Sequence, residues 1–577
     1  MVKIFRNKYT FFLLLIIIVG AFFRAYHFAD WMHYELDQAR DFRIVDAAVQ
    51  YGPGELPLQG PRAAGSFLRL GPLFYYMEYG SALIFGNTPS GAATIVLILS
   101  VFSIPLFYVF ARRFFSAELS FGLTALFGVS LFLVTYGRFA WNPNPVPFFA
   151  LAFFYALLRA VDHGERRKGP WLVVAAVALA FLTQMHFLAL AAAPLIGILF
   201  LLFTRPRIAL RWWWIAIAAF LFFQIPLIVN DVKTGGENVQ EFIEAVRGNA
   251  TGEDRTLVEN VAKNVGEHAT YYWLILSGHQ DAELPTIKPR GKGFYDVQCD
   301  QSCRGGLPFG ILSFTLFGFG IIAMILLWIK EREKHKKQFL LLVFLWFGVI
   351  FAAYVPLAHD LAPRFFLIVA PIVFLLFGCI LTLLFGSGNR QKIAWGALAL
   401  FLATNLLFTA QYFSQLARAN SDQSVEIGRD RILKEKTRMT LAQQETIVDY
   451  MEEKHRSNGF PIFMHGQAEF KRAFWERIEF RKIPRSDIPD DGAPLYRQGN
   501  YFLVIRTQSD VAEYMKKYEV VFSIAEKKIF GTLTVYHLLQ KPEAITDEKK
   551  DIEIDTRDPK FSPGVQVRYL WRQVFEE

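Results

Sequence analysis

The chain has 577 residues, 53% of them hydrophobic and only 20% charged, with 58 Phe among the 16% aromatics. That balance excludes an ordinary soluble enzyme and a disordered chain, and three cysteines exclude a disulfide-dense scaffold or a multi-cysteine metal module. The formal charge is +9, from 61 Lys and Arg against 52 Asp and Glu, and the bases cluster between apolar runs. This is the pattern of cytoplasmic membrane loops rather than of nucleic-acid binding.

A hydrocarbon core of about 30 Å takes roughly 20 apolar helical residues. Runs of that kind predict eleven spans, near 9–27, 90–111, 119–136, 143–158, 171–187, 188–204, 212–229, 307–329, 338–357, 365–385 and 393–411. The first run is retained rather than cleaved, because Phe22 and Phe23 continue its apolar core and no small-x-small site precedes Arg24. Basic clusters test the parity. Lys3, Arg6 and Lys8, then Arg112 and Arg113, Arg166 to Lys168, Arg205 to Arg211, Lys330 to Lys337, and Arg390 with Lys392 fall on every second connection, as the positive-inside rule requires. The amino terminus is therefore expected inside, and 28–89, 230–306 and 412–577 outside, in the plasma membrane of a prokaryote. The apolar run 70–86 is read as an interfacial or re-entrant helix, since a crossing there would put two basic clusters outside.

The chain thus divides into a membrane module, 1–411, with exterior loops at 28–89 and 230–306, and a small exterior α/β unit, 412–577. In the latter the pattern predicts helices over 440–456 and 510–517, strands over 460–464 and 501–505, and a hairpin of 519–524 with 531–539. Residues 484–498 read as a loop, and the charged run 541–577 as partly disordered. Without a phosphate loop, nucleophile elbow or zinc-ligand spacing, this unit is expected to dock or select an acceptor. Cys299 and Cys303, in the exterior loop, are expected to form a disulfide, and Asn249-Ala-Thr251 matches a glycosylation acceptor.

The first exterior loop opens with Trp31-Met-His-Tyr-Glu35-Leu-Asp37-Gln-Ala-Arg40-Asp41. In a helix Asp37 and Asp41 are i and i+4 on one face, where like charges repel unless a cation or a proton lies between them. Such a pair serves as a general base, a metal site or a partner for arginines; the plain alternative is a solvated polar loop with a few ion pairs. Further on, Arg62 and Arg69 flank Gly71-Pro-Leu-Phe-Tyr75-Tyr. Arginine suits a bidentate grip on phosphate beside an apolar helix, and equally an ordinary snorkelling anchor.

These stretches, Glu35-Leu-Asp37-Gln-Ala-Arg40, Gly71-Pro-Leu-Phe-Tyr75-Tyr-Met and Leu83-Ile-Phe-Gly86, resemble the first exterior loop of lipid-dependent glycosyltransferases of the GT-C fold. The resemblance is nearest to glycosyltransferase family 39, which includes protein O-mannosyltransferases and the aminoarabinose transferase acting on lipid A. That family carries an Asp-Glu dipeptide whose aspartate is catalytic, then a Pro-Pro-Leu-Tyr-Tyr-like stretch. Here Asp37 holds the aspartate position, Gln38 replaces the Glu, and Gly71 replaces the first Pro. Looser similarity covers Tyr136-Gly-Arg138-Phe-Ala-Trp-Asn142, Gln184-Met-His186 and His359-Asp-Leu-Ala-Pro-Arg364.

The resemblance implies a polytopic fold of about eleven helices and transfer of a sugar, with inversion, from a polyprenyl-phosphate-linked donor. The acceptor is a glycan, lipid or protein on the exterior face. It implies Asp37 as general base, with Asp41 in place of the second carboxylate that Gln38 lacks, and Arg62, Arg69 and Arg364 on the phosphate side. Glu35, Tyr75, Arg138, Asn142, His186 and His359 complete the substrate-binding candidates. No cofactor is required by the pattern; a divalent metal, if used, is expected at Asp37 and Asp41. The expected partners are the donor, the acceptor and membrane lipids. The competing function is transport or flipping of lipid-linked glycans, which is disfavoured because internal repeats and midplane charges are not seen.

Overall fold

A computed structural model of the chain describes residues 8–62, 68–248, 256–291, 294–384, 389–428, 430–489, 493–552 and 569–575. Asn249-Ala-Thr251 and the Asp-Asp-Gly turn at 490–492 lie outside the described residues. Among those described, seven helices are long and apolar enough to cross a membrane: Pro89–Ala111, Lys168–Met185, Phe187–Thr204, Leu210–Lys233, Cys303–Lys330, Lys334–Tyr354 and Asn389–Arg418. Four shorter apolar helices, Tyr9–Ala25, Ala117–Val129, Val146–Val161 and Ala370–Leu384, occupy the remaining predicted runs. Their outward faces carry bare apolar side chains such as Leu202, Phe203, Trp214 and Phe222, as lipid-facing helices do. The chain is a polytopic helical membrane protein.

Two predicted spans are interrupted. Residues 119–136 form two helices, Ala117–Val129 and Leu131–Tyr136, broken at Ser130, and 365–385 begins with the 3-10 segment Pro363–Ile368 before Ala370–Leu384. A break inside a bundle frees backbone groups that hydrocarbon does not satisfy. At Ser130 polar side chains take them up. Asn405, fully buried, accepts from Leu131 N (3.0 Å) and donates to the carbonyls of Leu276 and Phe401 (2.8 Å each). Ser130 donates to Ile275 O (2.8 Å), and Arg24 reaches Gly128 O (2.6 Å) and Ser100 Oγ (2.7 Å). Leu276 and Ile275 belong to the helix Leu257–Ser277, which stands in the expected exterior loop 230–306 but buries its last ten residues in the bundle. The neighbouring hairpin, Thr286–Gly291 with Phe294–Gln298, leads to the disulfide Cys299–Cys303.

The three polar segments gather at one end of the bundle. The helix Leu36–Tyr51 of the first loop packs under the helix Ala468–Phe480 of the C-terminal unit. Tyr34 donates to Glu476 (2.6 Å), Gln444 to Tyr34 O (2.5 Å), and Arg43 to Glu479 (2.6 Å). The interfacial run forms a helix of 13 residues, Leu73–Phe85, too short to cross, and it ends at Gly86 (φ 102°).

The C-terminal unit is a five-stranded mixed sheet in the order Arg485–Asp487, Ile462–Gly466, Asn500–Arg506, Leu533–Gln540, Phe522–Phe530. The first three strands are parallel and the last two join antiparallel. Alternation along Asn500–Arg506 sends Phe502 and Val504 into a core with the helix residues Ile447, Met451, Phe470 and Phe474. Its Tyr501, Leu503 and Ile505 enter a second core with Tyr518, Phe522 and Tyr536 on the other face. The helix Ala468–Phe480 and the short strand at 485–487 were not predicted. Residues 569–575, within the run expected to be partly disordered, instead pair with the first loop. Leu58 N donates to Tyr569 O (2.9 Å), Trp571 N to Leu56 O (3.1 Å), and Trp571 Nε1 to the Tyr76 hydroxyl (2.7 Å).

Replacing Asn405 with Leu leaves Leu131 N and Leu276 O buried without partners, at about 1–3 kcal/mol each. The thermal midpoint of Asn405→Leu should fall clearly below wild type in the same detergent; an unchanged midpoint would show that the Ser130 break is satisfied otherwise.

Candidate active site

The helix Leu36–Tyr51 begins with a capping box, in which the Gln38 side chain accepts from Glu35 N (3.0 Å). Gln38 is buried and spent on this cap. Asp37 and Asp41 then project together, one turn apart, and the cation between them is Arg40. Its Nη1 donates to Asp37 Oδ1 (2.8 Å), and its Nε to Asp41 Oδ1 (2.7 Å). Asp41's side chain is fully buried with the Tyr75 hydroxyl against it, whereas Asp37's is 35% exposed. The free oxygen of Asp37 accepts from Trp141 Nε1 (3.1 Å), and the Arg364 guanidinium lies over the Trp141 ring at 5.0 Å.

Burial pushes Asp41 up from its ordinary 3.8 to about 6, against the pull of Arg40. Glu78, on the interfacial helix beside Asp41, is 1% exposed and held well above the usual carboxylate range by burial, with Asp41 adding to it. An acid in so apolar a helix was a signal available in the sequence, Leu73-Phe-Tyr-Tyr-Met-Glu78, and it was not used.

Arg69 stands at the far side of this group. The loop that carries it is a narrow hairpin, with Gly60 N donating to Leu70 O (2.7 Å) and Leu70 N to Pro61 O (3.0 Å). A Cβ on Gly60 would lie 2.2 Å from Gly71 O, so only glycine permits the approach. Gly71 takes the Gln184 side chain against its bare Cα, and Gln184 Oε1 accepts from Leu73 N (3.4 Å). Arg69 is 3% exposed, and both its terminal nitrogens are buried without a hydrogen-bond partner. Arg62 pairs across the hairpin by a backbone bridge.

Other candidates are engaged in holding the bundle. Arg138 donates to the carbonyls of Phe23 (2.8 Å), Arg24 (3.0 Å) and Tyr26 (2.7 Å), closing the end of the first helix. Asn142 donates to Met185 O (2.7 Å). His186 joins two helices, its Nδ1 accepting from Leu188 N (3.2 Å). His359 lies apart from Asp37, exposed on a separate cavity of 480 Å³ with Lys263, Glu283 and Arg431.

Asp37 opens on a cavity of 280 Å³ that also meets His33, Glu35, Trp141, Lys434, Glu435, Lys436 and Glu469. The last four come from the C-terminal segment, and no local pattern in the sequence marks them. His33 Nδ1 lies 2.5 Å from Glu435 Oε1, and its Nε2 lies 4.0 Å from Glu35 Oε2. Burial lowers His33, but Glu35 and Glu435 outweigh it and raise the group to about 9. Burial, with Glu435 and Asp37, lifts Glu35 to about 7 against His33. Among the described residues, the three side chains able to converge on a metal are therefore His33, Glu35 and Glu435, while the space between Asp37 and Asp41 belongs to Arg40.

Asp41 holds its proton more tightly folded than unfolded, so the associated stability is full below about pH 4 and is lost as the pH rises to about 6. Asp41→Asn should flatten this part of a plot of unfolding midpoint against pH. The same slope in both proteins would exclude Asp41 as its source.

Residues 70–229 match the family described as dolichyl-phosphate-mannose-protein mannosyltransferase. No curated protein matches the chain in sequence. Among solved structures, ArnT from Cupriavidus metallidurans bound to undecaprenyl phosphate is similar at 12% identity and a TM-score of 0.42, over 91% of this chain and 97% of that one. The Archaeoglobus fulgidus oligosaccharyltransferase in complex with Zn and sulfate is similar at 11% identity and a TM-score of 0.48, over 90% and 73%. The same archaeal enzyme with an inhibitory peptide and a dolichol-phosphate gives 12% and 0.47, over 87% and 69%. These likenesses are distant, whereas the matched segment 70–229 contains Tyr75, Glu78, Arg138, Trp141 and Gln184. Residues 70–229 are thus the part of the chain that is similar to the dolichyl-phosphate-mannose-protein mannosyltransferase family.

Proposed function

We propose that all eleven apolar helices cross the membrane with the amino terminus in the cytoplasm, and that the enzyme glycosylates its acceptor on the opposite face. The donor is a sugar on polyprenyl phosphate; the acceptor is a glycan, lipid or protein hydroxyl. Arg69 carries this reading. A buried guanidinium with both terminal nitrogens unpaired lacks only an anion, and at a membrane boundary the anion that arrives with an apolar tail is a lipid phosphate. The apolar helix Leu73–Phe85, with Leu83, Ile84 and Phe85 exposed, offers a bed for that tail.

Across from it, Asp37 is the general base. Asp41 is sealed and paired with Arg40, so it acts through Arg40 as a positioning residue, while Asp37 faces the cavity with one oxygen tied by Arg40 and the other by Trp141. The acceptor hydroxyl attacks the anomeric carbon opposite the phosphate and gives its proton to Asp37. The bond from that carbon to the phosphate oxygen breaks, and both electrons leave with the phosphate toward Arg69. One displacement inverts the centre. The C-terminal unit, which contributes Glu469 to the cavity and holds Arg472 near Asp37, selects the acceptor.

With a labelled polyprenyl-phosphate sugar and membrane extract as acceptor, Asp37→Asn should release free polyprenyl phosphate about 10²- to 10⁴-fold more slowly than wild type. Arg69→Met should raise the KM for the carrier by about tenfold or more. Equal turnover in wild type and Asp37→Asn would remove Asp37 as the base; an unchanged carrier KM in Arg69→Met would remove the phosphate assignment.

A further inference from the structure

The cavity beside Asp37 contains a group of ligand-type side chains that the transfer reaction does not use. One imidazole nitrogen of His33 and one carboxylate oxygen each of Glu35 and Glu435 lie within 4.8 Å of one another. We propose that His33, Glu35 and Glu435 bind one divalent cation of the zinc class, which fastens the first exterior loop to the segment entering the C-terminal unit.

The donor set is one nitrogen and two oxygens, which suits zinc and leaves a fourth position for water from the 280 Å³ cavity. The ligands are held from behind. The His33 ring stands edge-on to Phe139 at 4.8 Å, which fixes its plane. The second oxygen of Glu435 meets Arg438 Nε at 3.0 Å, and Arg438 is in turn held by Asp430 at 3.6 Å. Such outer partners orient a ligating carboxylate. The carboxylate of Glu435 is 3% exposed and that of Glu35 23%, so the site is lined from the protein side and open on the cavity side. Lys434, Lys436 and Asp37 also face the cavity. Glu435 is 400 positions from Glu35, so the site exists only when loop and C-terminal segment are assembled, and a cation there adds its binding energy to that junction. No step of the proposed transfer depends on it, since Asp37 is held by Arg40 and Trp141.

The test uses the full chain in detergent, stripped with a chelator, equilibrated with zinc chloride and desalted, with bound zinc measured by elemental mass spectrometry. Wild type should keep about one zinc per chain, and His33→Gln, Glu35→Gln and Glu435→Gln should each retain it at least about tenfold more weakly. Zinc should raise the thermal midpoint of wild type and leave that of Glu435→Gln unmoved. Glu35→Gln lies at the open side and provides the variant if either buried replacement fails to fold. Asp37→Asn should keep its zinc whether or not it turns over donor, so the two proposals fail separately. Wild type retaining no zinc, or all three variants retaining as much as wild type, would overturn the site and leave His33 as a partner in a salt bridge alone.

Discussion

Arg40 is the constraint on which the rest of the polar end depends. Two carboxylates one helical turn apart repel, and at a membrane boundary neither is cheaply desolvated. Arg40 takes one oxygen from each, Asp37 at 2.8 Å and Asp41 at 2.7 Å, and so converts a repulsive face into a fixed array. With Asp41 sealed against Tyr75 and Glu78, the guanidinium has little freedom, and Asp37 inherits a defined orientation toward the cavity.

This arrangement separates two electrostatic tasks by a few residues. The cation that Asp37 needs is already supplied by Arg40, so Arg69 remains uncommitted on the other side of Tyr75. Burial of Arg69 draws it down to about 10, yet it stays charged at neutral pH and awaits an anion. On the proposed function the base and the leaving-group side are thereby kept from neutralising each other. The C-terminal unit matters because its helix Ala468–Phe480 lies on the helix that carries the array, through Glu476, Arg477 and Glu479.

Much of this was legible in the sequence. Apolar runs located the helices because hydrocarbon demands length and hydropathy alone, and the spacing of Asp37 and Asp41 already called for a cation or a proton between them. An arginine partner was among the readings that spacing allowed, beside a metal and a general base, and Arg40, one residue from Asp41, is that partner. The break at Ser130 was hidden, because the residue that repairs it, Asn405, is 275 positions away, and a lone Asn in an apolar helix has many uses. Glu435 and Glu469 were hidden for the same reason: they join His33 and Asp37 only through the fold of the C-terminal unit. Arg138, Asn142 and His186 matched family segments, yet each hydrogen-bonds to backbone at a helix end, a use that type and position do not distinguish from substrate binding. The pairing of 569–575 with the first loop escaped a composition that is charged overall, since the contact is made by a few residues, Tyr569, Leu570, Trp571 and Arg572, at the end of a charged run.

The most direct test of the central claim is a structure of the full chain in a lipid disc with polyprenyl phosphate bound. The phosphate is predicted within hydrogen-bonding distance of the terminal nitrogens of Arg69, with its polyprenyl chain along Leu73–Phe85 and its free side toward Asp37. A phosphate seated instead in the cavity beside Lys263 and Arg431, with Arg69 still unpaired, would contradict it.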